Sequence, residues 1–139
     1  MSLQLDVPVG GIGTASLVVA DEHTASSVGS GKIHVMATPV MINLIEAAAL
    51  EACEKWLPEG YQSLGIKLDV SHVAATPVGM RATATAEVIA VEGRNIRFKV
   101  SARDERDLIG EGTHERVVVN AERYYQRVQE KMALVKSGS

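Results

Sequence analysis

The stretch from Thr38 to Gly60, TPVMINLIEAAALEACEKWLPEG, decides the fold of this 139-residue chain. Thr38 and Pro39 predict a helix start, because threonine can cap the first helical amides and proline suits the first helical position. The helix is expected to run to about Leu57, where residues 58–60, Pro-Glu-Gly, end it. It is apolar around most of its circumference, so we expect other parts of the structure to cover it on several sides.

Patterns typical of β-strands lie on both sides of this helix. A first strand is predicted from Ala15 to Ala20, between two glycine-rich stretches. After Gly60 apolar and polar residues alternate, which predicts four strands joined by short turns. The last strand is expected from about Leu108 to Asn120, with a short amphipathic helix from Ala121. Short turns imply antiparallel neighbours, so the pattern predicts an α+β domain and leaves the choice among such folds open.

The composition limits the classes of protein to consider. The length fits one domain over residues 1–139, with residues 1–13 and 135–139 expected to be flexible. The net charge of -3 implies no broad basic surface, so we expect no nucleic-acid partner. Cys53 is the single cysteine, which leaves no internal disulfide and favours a reducing, cytoplasmic location. We expect neither a secretory signal nor a membrane partner, because no apolar run has the required pattern or length.

Glu46 is the most informative polar residue of the predicted helix. Three of its four neighbours at helical spacing are apolar, and an unpaired carboxylate is costly to bury. One interpretation is a nucleophile or base in a partly dry site. The other is a carboxylate at the helix edge that reaches solvent.

His72 and Thr38 are the candidates for catalytic residues that act together with Glu46. His72 shares one strand face with Ile66, Leu68 and Val70, so it is predicted to point towards the core. It is either a structural histidine bonded to backbone or, with Glu46 in contact, part of a proton-transfer pair. Thr38 can cap the helix, and its hydroxyl also lies where a helix N-terminus favours developing negative charge.

Several other sites are not supported by the sequence. Gly31-Lys32 and Gly11-Ile12-Gly13 lack the remaining residues of phosphate-binding and dinucleotide-binding loops. The other histidines show no ligand spacing, so no metal is predicted. Cys53 is expected in the core, and Tyr124-Tyr125 are expected to pack within the terminal helix.

Three segments, in a fixed order over most of the chain, resemble the fluoroacetyl-CoA thioesterase-like family of hotdog proteins. They are Ala37-Thr38-Pro39 leading to residues 44–48 (LIEAA); Ser63-Leu64-Gly65 followed by residues 70–72 (VSH) and 76–79 (TPVG); and residues 109–116 (IGEGTHER). The resemblance implies a hotdog fold, in which an antiparallel sheet wraps around one long central helix. It implies a homodimer that hydrolyses a small acyl-CoA thioester at the subunit interface to free acid and CoA, with no cofactor besides the CoA of the substrate.

The resemblance also implies roles for individual residues. Thr38, Glu46 and His72 are expected to form the reacting group, and Gly65 matches the glycine whose backbone lines the thioester site. His114 and Arg116 lie in a run typical of the family. Arg116 is expected either to meet a CoA phosphate or to pair with an acidic side chain.

One stretch departs from the family pattern. The fluoroacetyl-selective member covers its acyl pocket with a phenylalanine-bearing lid just before the threonine. Here residues 26–36 contain no phenylalanine, tyrosine or tryptophan. The acyl group is therefore left unassigned. The alternatives are a non-catalytic hotdog module that binds acyl-CoA or another small ligand, and a hotdog dehydratase, whose Asp/His helix pattern is not evident.

Overall fold

The computed structural model describes residues 3–137 and arranges them as one antiparallel sheet with a long helix against it. The elements are β1 (Ile12–Val18), α1 (Ala25–Val28), α2 (Thr38–Cys53), β2 (Tyr61–His72), β3 (Arg81–Glu92), β4 (Asn95–Arg103), β5 (Leu108–Asn120) and α3 (Ala121–Lys136). The strand order is β1-β3-β4-β5-β2, and every neighbouring pair is antiparallel. The predicted α+β architecture is confirmed, and β1 and β2 are the two edges.

The core lies between α2 and the inner faces of β3 and β4. Alternate residues are buried along β4 and along β3 as far as Val88, as the alternation predicts. The buried residues of β3 and β4 are Ala82, Ala84, Ala86, Val88, Ile96, Phe98, Val100 and Ala102. Those of α2 are Met41, Leu44, Ile45, Ala48, Ala49, Ala52 and Cys53. Small residues on both sides let the helix lie close to the strand backbones.

Gly13 marks the closest approach of α2 to the sheet. A Cβ atom placed there would collide with the backbone of α2 at Ala48 and Ala52, and would lie 2.9 Å from the Cα atom of Ala52. Only glycine permits this contact, which fixes the position of α2 over β1.

The two ends of α2 differ from the prediction. Ala37 is the N-cap residue and provides no side-chain cap, whereas Thr38 is the first helical residue. The predicted Thr38 cap is therefore wrong. The α-helix ends at Cys53 and continues as a 3-10 turn, Glu54–Trp56, up to the predicted stop.

Coverage of α2 is also less complete than expected. The face that includes Pro39, Asn43, Ala47 and Leu50 is exposed in the single chain. The sheet therefore covers one side of the helix, and a partly apolar strip remains open.

A bulge shapes the edge strand β2. Gly65 pairs with Arg116 and Lys67 with Glu115, so Ile66 is the extra residue. Because of the bulge, Ser63 and Gly65 share the inner face with Leu68, Val70 and His72. The predicted inward direction of His72 is confirmed, whereas Ile66 is 52% exposed.

The terminal segments complete the domain. Val7 is buried, and Leu3 and Leu5 pack against the core. Helix α3 is longer than predicted, and Tyr124 and Tyr125 are exposed on it, where their rings contact each other edge to face at a centroid distance of 6.5 Å. Residues 1–2 and 138–139 lie outside the described part, and the expected flexibility of residues 1–13 and 135–139 stays a prediction. Among the described helices, none has the length and apolar character that crossing a membrane requires.

We predict that Gly13→Ala strongly destabilises the domain, because the new methyl group meets backbone atoms that cannot move independently. Overpacking of this kind costs about 1–3 kcal/mol, measurable as a lower midpoint of urea unfolding. Gly31→Ala is the matched control, because its nearest contact would be the Ala25 side chain at an ordinary 3.4 Å. Equal midpoints for the two variants would show that α2 does not depend on this contact.

Candidate active site

Thr38 and His72 meet where α2 begins and β2 ends. The Thr38 Oγ1 atom lies 2.7 Å from His72 Nδ1. The threonine hydroxyl is therefore hydrogen-bonded to the histidine and not to the helix amides. This bond fixes the orientation of the imidazole ring and leaves its other nitrogen for chemistry.

The free nitrogen of His72 is Nε2, which is buried and has no hydrogen-bond partner among residues 3–137. Burial lowers the pKa of His72, and the backbone of Ala74 offsets part of that shift. The ring is thus mainly neutral near pH 7. A neutral imidazole with an unpaired nitrogen can take up or deliver a proton.

A pocket of about 340 Å³ opens beside this pair. Its walls come from the segment before α2 and from the segment after β2, and most of the side chains are small or aliphatic. The lining residues are Ala25, Ser30, Val35, Met36, Thr38, His72, Val73, Ala74 and Ala75. Its dimensions and lining suit a small apolar group held next to His72.

Glu46 lies two helical turns beyond Thr38, in a second cluster. Its Oε2 atom is 3.4 Å from Arg116 Nη1, and its side chain is 35% exposed. A Cβ atom at residue 65 would come within 2.6 Å of Glu46 Oε2. Gly65 therefore lets the carboxylate lie directly against the backbone of β2, next to the bulge.

Arg116 is buried beneath this carboxylate. Its Nε atom donates to Ser63 Oγ at 2.8 Å and its Nη2 atom to the Ser63 carbonyl at 3.0 Å. Its Nη1 atom faces both Glu46 Oε2 and His114 Nε2, the latter at 3.1 Å. Of the two alternatives for Arg116, the structure shows pairing with an acidic side chain. With 6% of its side chain exposed, Arg116 is poorly placed to meet a CoA phosphate.

His114 is held as one neutral tautomer by these contacts. A guanidinium only donates, so His114 Nε2 accepts from Arg116 and His114 Nδ1 donates to the Lys67 carbonyl at 2.8 Å. Burial lowers the pKa of His114, the Lys67 carbonyl opposes that shift, and the Arg116 charge adds to it. The ring stacks on Phe98 at a centroid distance of 5.8 Å.

The two clusters are separated within one chain. His72 pairs with Gly110 of β5 and Gly65 with Arg116, six residues apart on that strand. That spacing corresponds to roughly 20 Å. The expected contact between Glu46 and His72 is therefore wrong for a single chain: Thr38 and His72 form one half of the predicted group, and Glu46 lies with Gly65 in the other.

Sequence reasoning missed Ser63 and Glu54. Ser63 Oγ donates to Glu54 Oε2 at 2.7 Å, and Ser63 N donates to the same oxygen at 3.0 Å. The sequence did carry a signal for this cluster in β5. His114 and Arg116 lie on the same strand face as Val118, which the alternation predicts to be internal. Among residues 3–137 no group of three histidine, cysteine or acidic side chains is arranged to hold a metal ion.

Comparison with known proteins identifies the class. The family model described as fluoroacetyl-CoA-specific thioesterase matches residues 19–122. A fluoroacetyl-CoA thioesterase from Streptantibioticus cattleyicolor is 45% identical over 97 residues, 70% of each chain. The structure of the fluoroacetyl-CoA thioesterase FlK has a TM-score of 0.84 at 38% identity and covers 89% of this chain and 96% of that one. A thioesterase superfamily member from Thermus thermophilus has a TM-score of 0.83 at 29% identity, covering 92% and 97%.

The curled antiparallel sheet and central helix are thus the hotdog fold, and the protein is a hotdog-fold thioester hydrolase. More specifically, this chain belongs to the fluoroacetyl-CoA-specific thioesterase family. The fold and the family expected from the sequence are both confirmed.

We predict that His114 makes stability fall in mild acid. Its pKa is lowered in the folded chain, so between that value and the ordinary 6.5 the unfolded chain binds the proton more readily. Stability is therefore fully present above 6.5 and is lost as pH falls through the folded pKa. Urea unfolding at about pH 7.5 and about pH 5.5 measures the loss, which His114→Gln should reduce.

The control for this prediction is His34→Gln. His34 is exposed and bonds to Asp21 at the surface. This variant should keep the full acid-dependent loss. An equal loss in His114→Gln and the wild type would contradict the assigned neutral state of His114.

Proposed function

We propose that this protein hydrolyses a small acyl-CoA thioester to free acid and CoA, in a homodimer whose subunits each supply half of every active site. The observation that carries the proposal is the oriented Thr38–His72 pair, both of whose residues line a small pocket, with the buried His72 Nε2 unpaired among residues 3–137. The remaining expected group, Glu46, lies too far away in the same chain to share that site.

The open edge of β2 supports the dimer. Ile66 is 52% and Leu68 37% exposed on this strand, and Leu50 of the uncovered α2 face is also 37% exposed. An edge strand of this kind presents unpaired backbone groups as well as apolar side chains. Antiparallel pairing of two β2 edges would satisfy the backbone and bring the open α2 faces nearer to each other.

One register of this pairing assembles the site. A two-fold axis through Asp69 places Gly65 opposite His72 of the partner subunit, since each lies three pairing steps from Asp69 once the bulged Ile66 is left out. Glu46, which contacts Gly65, then approaches the Thr38–His72 pair of the other subunit. The same operation creates a second, identical site.

The chemistry follows from this arrangement. The thioester carbonyl lies at the N-terminus of α2 and the Gly65 backbone of the partner subunit, where amide donors stabilise the developing oxyanion. Glu46 attacks the carbonyl carbon or activates a water for attack. His72 Nε2 transfers the proton while the Thr38 hydroxyl holds the ring, and the C–S bond breaks to release CoA. Water supplies the remaining oxygen and proton, so the products are acid and thiol.

The acyl group is small and is not restricted to fluoroacetyl. Residues 26–36 carry no phenylalanine, and the pocket is lined on that side by Ser30, Val35 and Met36. An aliphatic wall accepts short unbranched acyl groups without selecting for fluorine. CoA enters only as part of the substrate, and neither cofactor nor metal takes part.

The cytoplasm is the proposed location. The thiol of Cys53 is buried and free, and burial raises its pKa to about 11, so it stays protonated and unreactive. A lone buried thiol is typical of reducing compartments. No nucleic-acid or membrane partner is proposed.

We predict that Glu46→Gln and His72→Ala each remove most of the thiol release from short and medium acyl-CoA substrates. The double variant should be little worse than either single one, because both groups act in the same chemical step. Release of CoA is followed with a thiol reagent, and circular dichroism checks folding. Glu59→Gln, in the exposed turn before β2, is the control and should behave as wild type.

Folded single variants with near-normal turnover would remove these residues from the site. A wild-type protein that binds acyl-CoA but releases no thiol from any thioester would establish a binding module instead.

We predict that Thr38→Ala lowers turnover strongly and stability only modestly. The hydroxyl is bonded to His72 and caps no amide, so the free energy of unfolding should fall by the value of one hydrogen bond, about 0.5–1.5 kcal/mol. Thr38→Ser should retain turnover because it keeps the hydroxyl. A loss of about 1 kcal/mol or more in Thr38→Ala, with unchanged turnover, would restore the capping role.

A further inference from the structure

We infer that Ser63 and Glu54 are positioning residues for Glu46, acting through Arg116. The inference rests on the proposed function and concerns the same site. Neither residue reaches the pocket beside His72, and among the described contacts neither touches Glu46. They set the direction of the guanidinium that faces Glu46.

Ser63 holds Arg116 at two points. The Nε and Nη2 atoms of the guanidinium donate to the hydroxyl and to the carbonyl of this one residue, at 2.8 and 3.0 Å. A single hydrogen bond would let the planar group pivot, whereas two bonds define its plane. With the plane defined, Arg116 Nη1 can only point at Glu46 and His114.

Glu54 fixes the direction of the Ser63 hydroxyl. Arginine nitrogens cannot accept, so Ser63 Oγ accepts from Arg116 and must donate its single proton elsewhere. That proton goes to Glu54 Oε2 at 2.7 Å, which also accepts the Ser63 amide at 3.0 Å. Arg116 therefore donates to the Ser63 hydroxyl, and the Ser63 hydroxyl donates to Glu54. Neither hydrogen bond can reverse its direction.

Among the described contacts, the Ser63 hydroxyl is the acceptor of Arg116 Nε. Ser63 is 6% and Arg116 5% exposed, so water has little access to either. Cys53 Sγ is the other polar neighbour of the Ser63 hydroxyl, at 3.9 Å, and its thiol is neutral. Loss of the Ser63 hydroxyl leaves Arg116 Nε without its acceptor, and the guanidinium then tilts away from the position that supports Glu46.

The inference predicts a split between kcat and KM. In Ser63→Ala, kcat should fall by roughly 10- to 100-fold, the size of effect expected when a reacting group is misplaced by an ångström or less. KM should stay within about twofold, since Ser63 and Glu54 do not touch the substrate. Glu54→Leu removes the acceptor of the Ser63 proton and should lower kcat in the same direction, whereas Glu54→Gln keeps an amide oxygen that can accept and should retain most of the activity. Ser63→Thr, which keeps the hydroxyl, should retain most of the activity.

Measuring Ser63→Ala in chains that already carry Glu46→Gln separates an effect on the position of Glu46 from a general loss of stability. If Ser63 acts through Glu46, then Ser63→Ala should cause no further loss in chains that already carry Glu46→Gln. Glu51→Gln, exposed on α2, and Ser101→Ala, half-buried on β4, are the matched controls and should behave as wild type.

The outcomes are distinguishable. An active wild type with normal kcat in folded Ser63→Ala and Glu54→Leu variants overturns the inference alone. A further loss from Ser63→Ala in the Glu46→Gln background also overturns it, because the effect then bypasses Glu46. A wild type that releases no thiol from any acyl-CoA overturns the proposed function and the inference together.

Discussion

The close contact between α2 and the sheet is the constraint on which the rest of the structure depends. Glycine at position 13 and the alanines of α2 and β3 let the helix lie against the strand backbones. At the other end, a Cβ atom at residue 110 would lie 2.6 Å from Met41 Sδ. This placement brings the start of α2 to the end of β2, so that Thr38 meets His72. Two turns further on it brings Glu46 to the bulge in β2.

The second cluster places one cation between two carboxylates. Arg116 is buried, and its charge is compensated by Glu46 on one side and, through Ser63, by Glu54 on the other. A buried ion pair is a weak source of stability, because removing charges from water costs about as much as their attraction returns. Its value here lies in geometry, since the hydrogen-bonded guanidinium has one orientation. The first cluster, Thr38 and His72, is neutral, and its His72 Nε2 has no hydrogen-bond partner among the described residues.

Sequence reasoning predicted the elements well, because alternation and helical periodicity are local properties. The bounds of β5 match the prediction, and the burial of β3 and β4 follows the expected faces. The Thr38 cap was wrong because the residue pair Thr38-Pro39 looks the same whether the hydroxyl bonds an amide or a histidine far along the chain. The contact between Glu46 and His72 was also wrong for a single chain. It depends on how α2 crosses β2, which local spacing does not encode. Ser63 and Glu54 were missed because their importance arises only when β2, β5 and the end of α2 come together.

The division of each active site between two subunits is tested most directly by mixing two inactive variants. Glu46→Gln chains keep Thr38 and His72, whereas His72→Ala chains keep Glu46, so each mixed dimer would contain one complete site. Random exchange of subunits makes half of the dimers mixed, and activity should return to about a quarter of the wild-type level. Mixed dimers are verified by co-purification of two different tags. If mixed dimers form and activity stays at the level of the parent variants, the two halves do not meet across the β2 edge, and the account of the site is wrong.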